Sequence, residues 1–499
     1  MTLLRISGDC GCASPLGDSS QATSPSSRRE IRERQGSLAQ LEVMAMRIMQ
    51  YLWSSLLRSD IKEIISSGLR LGAPACVLAA AILMLLLAAA GTAFGGSATW
   101  RFDPGNSSWN VLEPENWTPE TVPNGPADTA TFDVSNVTGI GLTQNDIEVS
   151  GIVFNAGASA FSIDVLDGDG KALVALTISG VGITNNSGIT QNFTTHGDNN
   201  TGGDSALRFT NNATAGNLTV LTADVDPQAF RTSTISFEND STADGARVKV
   251  FGIFKGTGGT LDISGHNAPG VTIGSIEGTG LVFLGANNLT VGTNSLNTTF
   301  SGAIQDGGSF TKVGRGTLIL TNANTYTGGT TIDDGTLVVN NLSGSGTGTG
   351  AVQVNGGVLG GRGIIAGAVT VGNGSGTRAE LDPGKPGSDP GHFLSILGAL
   401  ILNSDGTYTV GLKTRNQIVD QVMANGITIN GAQFHFTVHG QQVLSPGTVF
   451  TVLENTAATP IAGAFSNLPD GSLITANSNT FQASYTGGDG NDLTLTVVP

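Results

Sequence analysis

Gly316-Thr317-Leu318-Ile319-Leu320 returns 19 residues later as Gly335-Thr336-Leu337-Val338-Val339. Each copy is a short apolar run among Gly, Thr and Asn. A unit that small cannot bury its own hydrophobic face, so it has to stack on copies of itself. Gly350-Ala351-Val352-Gln353-Val354 repeats as Gly367-Ala368-Val369-Thr370-Val371 after 17 residues. Gly259-Thr260-Leu261 precedes Gly316-Thr317-Leu318 by 57, three times 19. A period wobbling over 17–22 residues predicts an all-β chain wound as a parallel β-helix, with one strand per face in each coil and rungs ~4.8 Å apart. Residues 99–400 then give on the order of 15 rungs. An antiparallel sandwich is the rival, but near-identical phrases at near-constant spacing favour stacking.

Gly accounts for 72 of 499 residues, a density that would suggest disorder, yet 39% of the chain is apolar, more than disorder tolerates. Lys and Arg number nine against seven Asp and Glu in 1–98, which leaves 14 against 32 for 99–499. So acidic a body is a poor candidate for nucleic acid or anionic membrane. Cys10, Cys12 and Cys76 all lie before it, so no disulfide framework or thiolate metal site is expected there.

Ala73–Ala93 is almost uninterrupted apolar sequence. Arg58, Lys62 and Arg70 precede it, and small residues follow at Gly91-Thr92-Ala93 and Gly95-Gly96-Ser97-Ala98. Basic flank, apolar core and small-residue exit are the parts of a secretory signal, cleaved near Ala93 or Ala98. An uncleaved anchor is the alternative, and either places the body outside the cytoplasm. Residues 1–72 read as a polar and helical leader with a mis-called start, since Met44, Met46 or Met49 would give an ordinary one.

From Thr99 on, no run supports a helix of three turns. Alternation at Asp146–Val153, Ala172–Ile178, Ala246–Phe251, Gly270–Ile276 and Gly280–Leu284 predicts strands with one buried side. The pattern breaks near Leu381-Asp382-Pro383-Gly384-Lys385-Pro386-Gly387, and longer alternating strands follow. The last two, Phe481–Tyr485 and Leu493–Val498, flank Gly487-Gly488-Asp489-Gly490 as a hairpin. The division expected is a signal core at 73–98, a β-helix at 99–400 and a β-rich module at 401–499 that caps the open stack.

Lys312-Val313-Gly314-Arg315-Gly316-Thr317-Leu318, then Asn324-Thr325-Tyr326-Thr327-Gly328-Gly329-Thr330-Thr331 and Asp334-Gly335-Thr336-Leu337, closely resembles the autotransporter-associated β-strand repeat, over 310–341. Trp109, Asn116-Trp117 and Asp128-Thr129-Ala130-Thr131-Phe132 look like the opening module of the same passenger proteins. The resemblance implies a right-handed β-helix at or beyond the cell surface, and it supplies no catalytic residues. It also brings an expectation of departure, because such proteins end in a membrane barrel and this sequence shows none before Pro499.

Paired carboxylates that cleave glycosides sit on some parallel β-helices. Arg247-Val248-Lys249, Gly265-His266 and Asp333-Asp334 are similar to the motifs of pectin-hydrolysing members, but in reverse order. Asp167 with Asp169, and Asp489 with Asp492, are weak calcium candidates that read better as turns. His435 and His439 share a strand face about 13 Å apart, too far for one metal. The expected function is therefore a secreted or surface-displayed structural and adhesive passenger, non-enzymatic and without cofactor, presenting a repetitive face to glycans or matrix. A carbohydrate-active β-helix enzyme, lyase or hydrolase, is the alternative.

Overall fold

Thr317–Leu320 buries Leu318 and Leu320 and leaves Thr317 and Ile319 partly exposed. The same rhythm holds in Thr219–Val225 and Arg247–Val250, as strands with one core-facing side require. The computed structural model describes residues 96–143, 146–166, 173–197, 203–225, 231–254, 257–376, 378–384 and 387–499. These belong to one unit, Ala93–Pro499. The leader, the apolar stretch from Ala73 to Ala93, the three cysteines and the calcium candidates Asp167 and Asp169 lie outside the described residues. Among the described residues the only helix is a short 3₁₀ turn, Pro114–Asn116, and none is long and apolar enough to cross a membrane.

The described strands form four sheets. The first has 11 strands and runs from Ala98–Trp100 to Ala303–Gln305; the second has 14 and runs from Gly139–Leu142 to Gln433–His439. A third, of nine, opens at Gly270–Ile273 and reaches Ala462–Ala464. The fourth, of seven, opens at Ile364–Ile365. Successive strands of a sheet pair in parallel almost throughout, so the chain coils instead of folding back. Parallel pairing runs on past residue 400, through Leu400↔Ile427 and Thr428↔Ala462.

Inward residues stack in register. Ile140, Ile163, Phe193, Leu221, Val248 and Ile276 make one column of the second sheet. Leu318, Leu337, Leu359, Leu381 and Tyr408 make another, further along. All of these are buried. At the N-terminal end of the described residues the first sheet carries an aromatic cluster, with Trp100, Trp109 and Trp117 packed on Phe132 and Phe132 stacked on Phe154 at 5.2 Å. At the other end Val449–Asn455 pairs antiparallel with Asp492–Val498, which forms the expected hairpin with Asn479–Gly487.

Both short repeats are single coils. Leu318 lies on Leu337 in the second sheet, and Val352 on Val369 in the third. The spacing of 57 is different. Thr257–Asp262 belongs to the first sheet, where Leu261 stacks on Val282 and then Ile304, whereas Thr317–Leu320 belongs to the second. Those two phrases alike in sequence therefore face different sides of the coil. The early coils are also longer than expected. Leu207 to Ile235 takes 28 residues and Ile235 to Leu261 takes 26, because the chain there alternates between two sheets with long corners.

Leu337 is fully buried between Leu318 and Leu359. Leu337→Ala should cost about 3 kcal/mol in a chemical denaturation experiment, whereas Ile319→Thr, on the outward side, should shift the midpoint little.

Candidate functional site

The repeat at 310–341 contributes strands to two sheets in turn: Ser309–Lys312 and Thr330–Ile332 to the third, Thr317–Leu320 and Thr336–Val339 to the second. In the third sheet the inward column reads Val291, Lys312, Ile332, so a lysine occupies a place that its neighbours fill with aliphatic carbon. Its side chain is 1% exposed. Nζ donates to the carbonyls of Val313 at 2.6 Å, Gly314 at 2.7 Å and Asp334 at 3.3 Å, tying the turns of two consecutive coils together. Burial lowers its pKa from 10.5 to about 8, against the opposing pull of Asp334. Gly335 holds φ at 70°, and a Cβ there would collide with the Gly314 and Gly316 carbonyls, so this tie requires glycine.

Tyr326 and Thr330 are likewise interior. The Tyr326 hydroxyl bonds Thr330 Oγ1 at 2.6 Å, and that hydroxyl donates on to the Thr347 carbonyl at 3.2 Å. The Gly328-Gly329 turn leads directly into Thr330, and a Cβ at Gly328 would meet the Gly308 carbonyl. Asn324 replaces a strand. The first sheet stops at Ala303–Gln305, and Asn324 Oδ1 accepts from Ile304 N at 2.8 Å while its Nδ2 donates to Gly346 O at 2.6 Å. One coil later Asn341 Oδ1 accepts from Ile364 N at 2.9 Å, where the fourth sheet begins. Two buried asparagines thus splice the end of one sheet to the start of another.

The described residues also hold a groove of about 1140 Å³ on the outer side of the second sheet. It lies where the third sheet opens, with Gly270–Thr272 overhanging the earlier coils. Its lining takes Asn192, Val220 and Arg247 from one register column of successive rungs and Lys249 from the next, a column that Glu277 continues outside the groove. Glu277 holds both cations, with Arg247 Nη2 at 2.6 Å and Lys249 Nζ at 3.4 Å. Its pKa is lowered; burial, the largest influence, pushes the other way and is overcome by the hydrogen bonds and charges of Arg247 and Lys249. Beyond Glu277 a second hollow of about 500 Å³ continues along the same face to Thr317 and Ile319.

Residues 310–339 match the family model of the passenger-associated-transport-repeat. These residues are a passenger-type repeat. The chain is also similar to the adhesin BmaC autotransporter of Brucella suis biovar 1 (strain 1330), at 37% identity over 114 residues, 23% of this chain and 3% of that protein. It therefore spans a small fraction of that relative's length. In the passenger-type repeat, the expected residues Gly314, Gly316, Leu318, Gly329 and Leu337 hold turns and the inward stack, while Lys312, Asn324, Tyr326 and Thr330 supply its buried polar contacts.

The remaining candidates stay apart. Arg247 and Lys249 face the groove, His266 bonds the Ser241 carbonyl at a corner, and Asp333 and Asp334 cap exposed turns through Asn355 Nδ2 and Gly335 N. Asp489 is exposed in the final turn, while Asp492 Oδ1 accepts from Asn455 N at 2.9 Å. His435 and His439 are both exposed. Among the described residues no group of three or more His, Cys, Asp or Glu is placed to hold a metal ion.

One carboxyl cluster escapes sequence reading. Asp420 Oδ1 accepts from Gly391 N and His392 N, and Oδ2 from Gly411 N, which pins a loop onto its coil. Asp382, 8% exposed, has its pKa raised to about 7 by burial, then by Glu380 and Asp420. Its cue was the break at Leu381-Asp382-Pro383, visible as a turn but not as a buried acid.

Two pH trends follow. The folded state sheds the Lys312 proton more readily than the unfolded chain, so stability should rise with pH between about 8 and 10.5. Lys312→Met should abolish that rise in pH-resolved melting and, by stripping donors from three carbonyls, cost about 2 kcal/mol at pH 7. Asp382 binds its proton more tightly when folded, so stability should fall as pH climbs from 3.8 to about 7. Asp382→Asn should raise the melting temperature at pH 8 and leave it nearly unchanged at pH 3.

Proposed function

We propose that this chain is an exported, cell-surface adhesive passenger-type protein, non-enzymatic, whose coils present a long polar face to matter outside the cell. The observation that carries the reading is the passenger-type repeat at 310–339, built without interruption into a ladder of parallel coils. The stretch shared with an autotransporter adhesin agrees with it, and so does the signal-like order of Arg58, Lys62, Arg70 and the apolar run after them. In this reading the coils wind right-handed, as crossovers between parallel strands of one sheet nearly always do. The antiparallel strands Val449–Asn455, Asn479–Gly487 and Asp492–Val498 act as a cap that keeps the last edge from pairing with other chains.

Adhesion suits such a surface because outward residues recur every rung, so many weak contacts add along one axis. Hydrolytic chemistry suits the groove less well. It is lined by one carboxylate, Asp244, whose two oxygens bond the hydroxyls of Thr214 and Thr242. A facing pair of free carboxyls is what glycoside cleavage uses.

Protease treatment of intact producing cells tests the proposal. The body should be digested without lysis, and the cells should then lose retention on a matrix- or glycan-coated surface. Protection of the body until lysis, or undiminished retention after its removal, would refute it.

A further inference from the structure

We propose that the segment 388–392 is a proton-operated latch, held down on the outer face of the second sheet while Asp382 is neutral and loosened when that carboxyl ionises. Tyr408, Val410 and Leu412 of Gly406–Lys413 point into the core, so Thr409 and Gly411 point out. On the neighbouring strand Ala379–Pro383, Leu381 stacks inward on Tyr408, so Glu380 and Asp382 point out as well. An outward carboxyl on an open face is hydrated, yet Asp382 is buried. Segment 388–392 lies over this part of the face. Pro390 rests on Gly411, where a Cβ would collide with its ring, and Ser388 and His392 close on Gly384 in the same way. One carboxylate ties the segment down. Asp420 Oδ1 accepts from the Gly391 and His392 amides at 2.7 and 2.8 Å, and Oδ2 from Gly411 N at 3.0 Å.

Three carboxyls thus meet around the closed segment. Glu380 accepts from the Thr409 hydroxyl at 2.5 Å and has Arg378 at 3.6 Å, and Asp420 has its three amides. Asp382 faces both of these acids, and burial together with their charge raises its pKa to about 7. Other charges nearby act on the hold in smaller ways. His392 Nδ1 lies 3.3 Å from Asp420 Oδ1, so a proton on the ring strengthens the tie. Lys413 pairs with Asp389 at 2.8 Å, with His439 also acting on that acid, but this contact is exposed and weak. Tyr408 adds no charge, since burial raises its pKa well above the usual value. When the segment lifts, water reaches Asp382 and its pKa returns towards 3.8. The closed form therefore binds the proton more tightly, and closure weakens as pH rises from 3.8 to about 7 and is level beyond. The latch is shut in mildly acidic surroundings and lifts more often in neutral ones, as a local opening that leaves the coils in place.

Hydrogen-exchange mass spectrometry on the full chain at pH 5 and pH 8 tests this, with each rate divided by the intrinsic rate at that pH. Protection of the Gly391 and His392 amides should fall roughly tenfold between the two, while that of Leu318 and Leu337 in the ladder should hold. In Asp382→Asn the fall should vanish, with protection at pH 8 matching the parent chain at pH 5. In His392→Gln the fall should persist. The parent chain alone can refute the latch, whatever the variants do: protection at 391 and 392 that ignores pH, or a fall shared by Leu318 and Leu337, would overturn it. A fall retained in Asp382→Asn, or lost in His392→Gln, would take the switch away from Asp382 and overturn the assignment. Surface retention of producing cells reports on adhesion separately, so the latch and the adhesive reading stand or fall apart.

Discussion

Each coil of this protein is completed by its neighbours through two things at once, a parallel backbone ladder and a column of apolar side chains in register. Leu337 illustrates both, since its strand pairs with those of Leu318 and Leu359 while its side chain lies between theirs. A slip of one residue would turn every inward side chain outward. Register is therefore set by burial, and the stack has the nearest-neighbour energetics of a one-dimensional array. At its two ends the pattern changes, to a tryptophan cluster around Phe132 and to antiparallel strands after Val449.

Where polar groups enter this interior they do structural duty that aliphatic carbon could not. Asn324 presents an amide that imitates the missing strand, accepting from Ile304 and donating to Gly346. Lys312 turns its ammonium back on three carbonyls instead of leaving a charge among Val291 and Ile332. Burying such groups without partners would cost several kcal/mol apiece. With partners they allow the cross-section to change, the first sheet giving way to the fourth, while the second and third continue unbroken.

How legible this was in the sequence depended on whether a repeat stayed within one sheet. The 19- and 17-residue repeats did, and both mark true rungs. The likeness of Thr260-Leu261 to Thr317-Leu318 reflects a shared strand vocabulary on two different sheets, so spacing alone misled. Coils of 26–28 residues between Leu207 and Leu261 have corners too varied to leave a period. Lys312 belonged to a recognisable motif, but its interior position emerges only once Val291 and Ile332 are aligned above and below it. The groove was beyond reach for a related reason, its lining being drawn from several coils whose register no local pattern reveals.

Because Asn324 and Asn341 lie at the change of sheet, the two halves of the body are joined at one corner by isolated backbone bonds and two side-chain amides, and by continuous strands at the others. Lineages of such a protein would then be free to gain or lose whole turns on either side of this junction, each insertion leaving the remaining register intact. A turn added between the two asparagines themselves would separate partners that must meet. Variation in length among kin should accordingly spare this short segment and accumulate elsewhere.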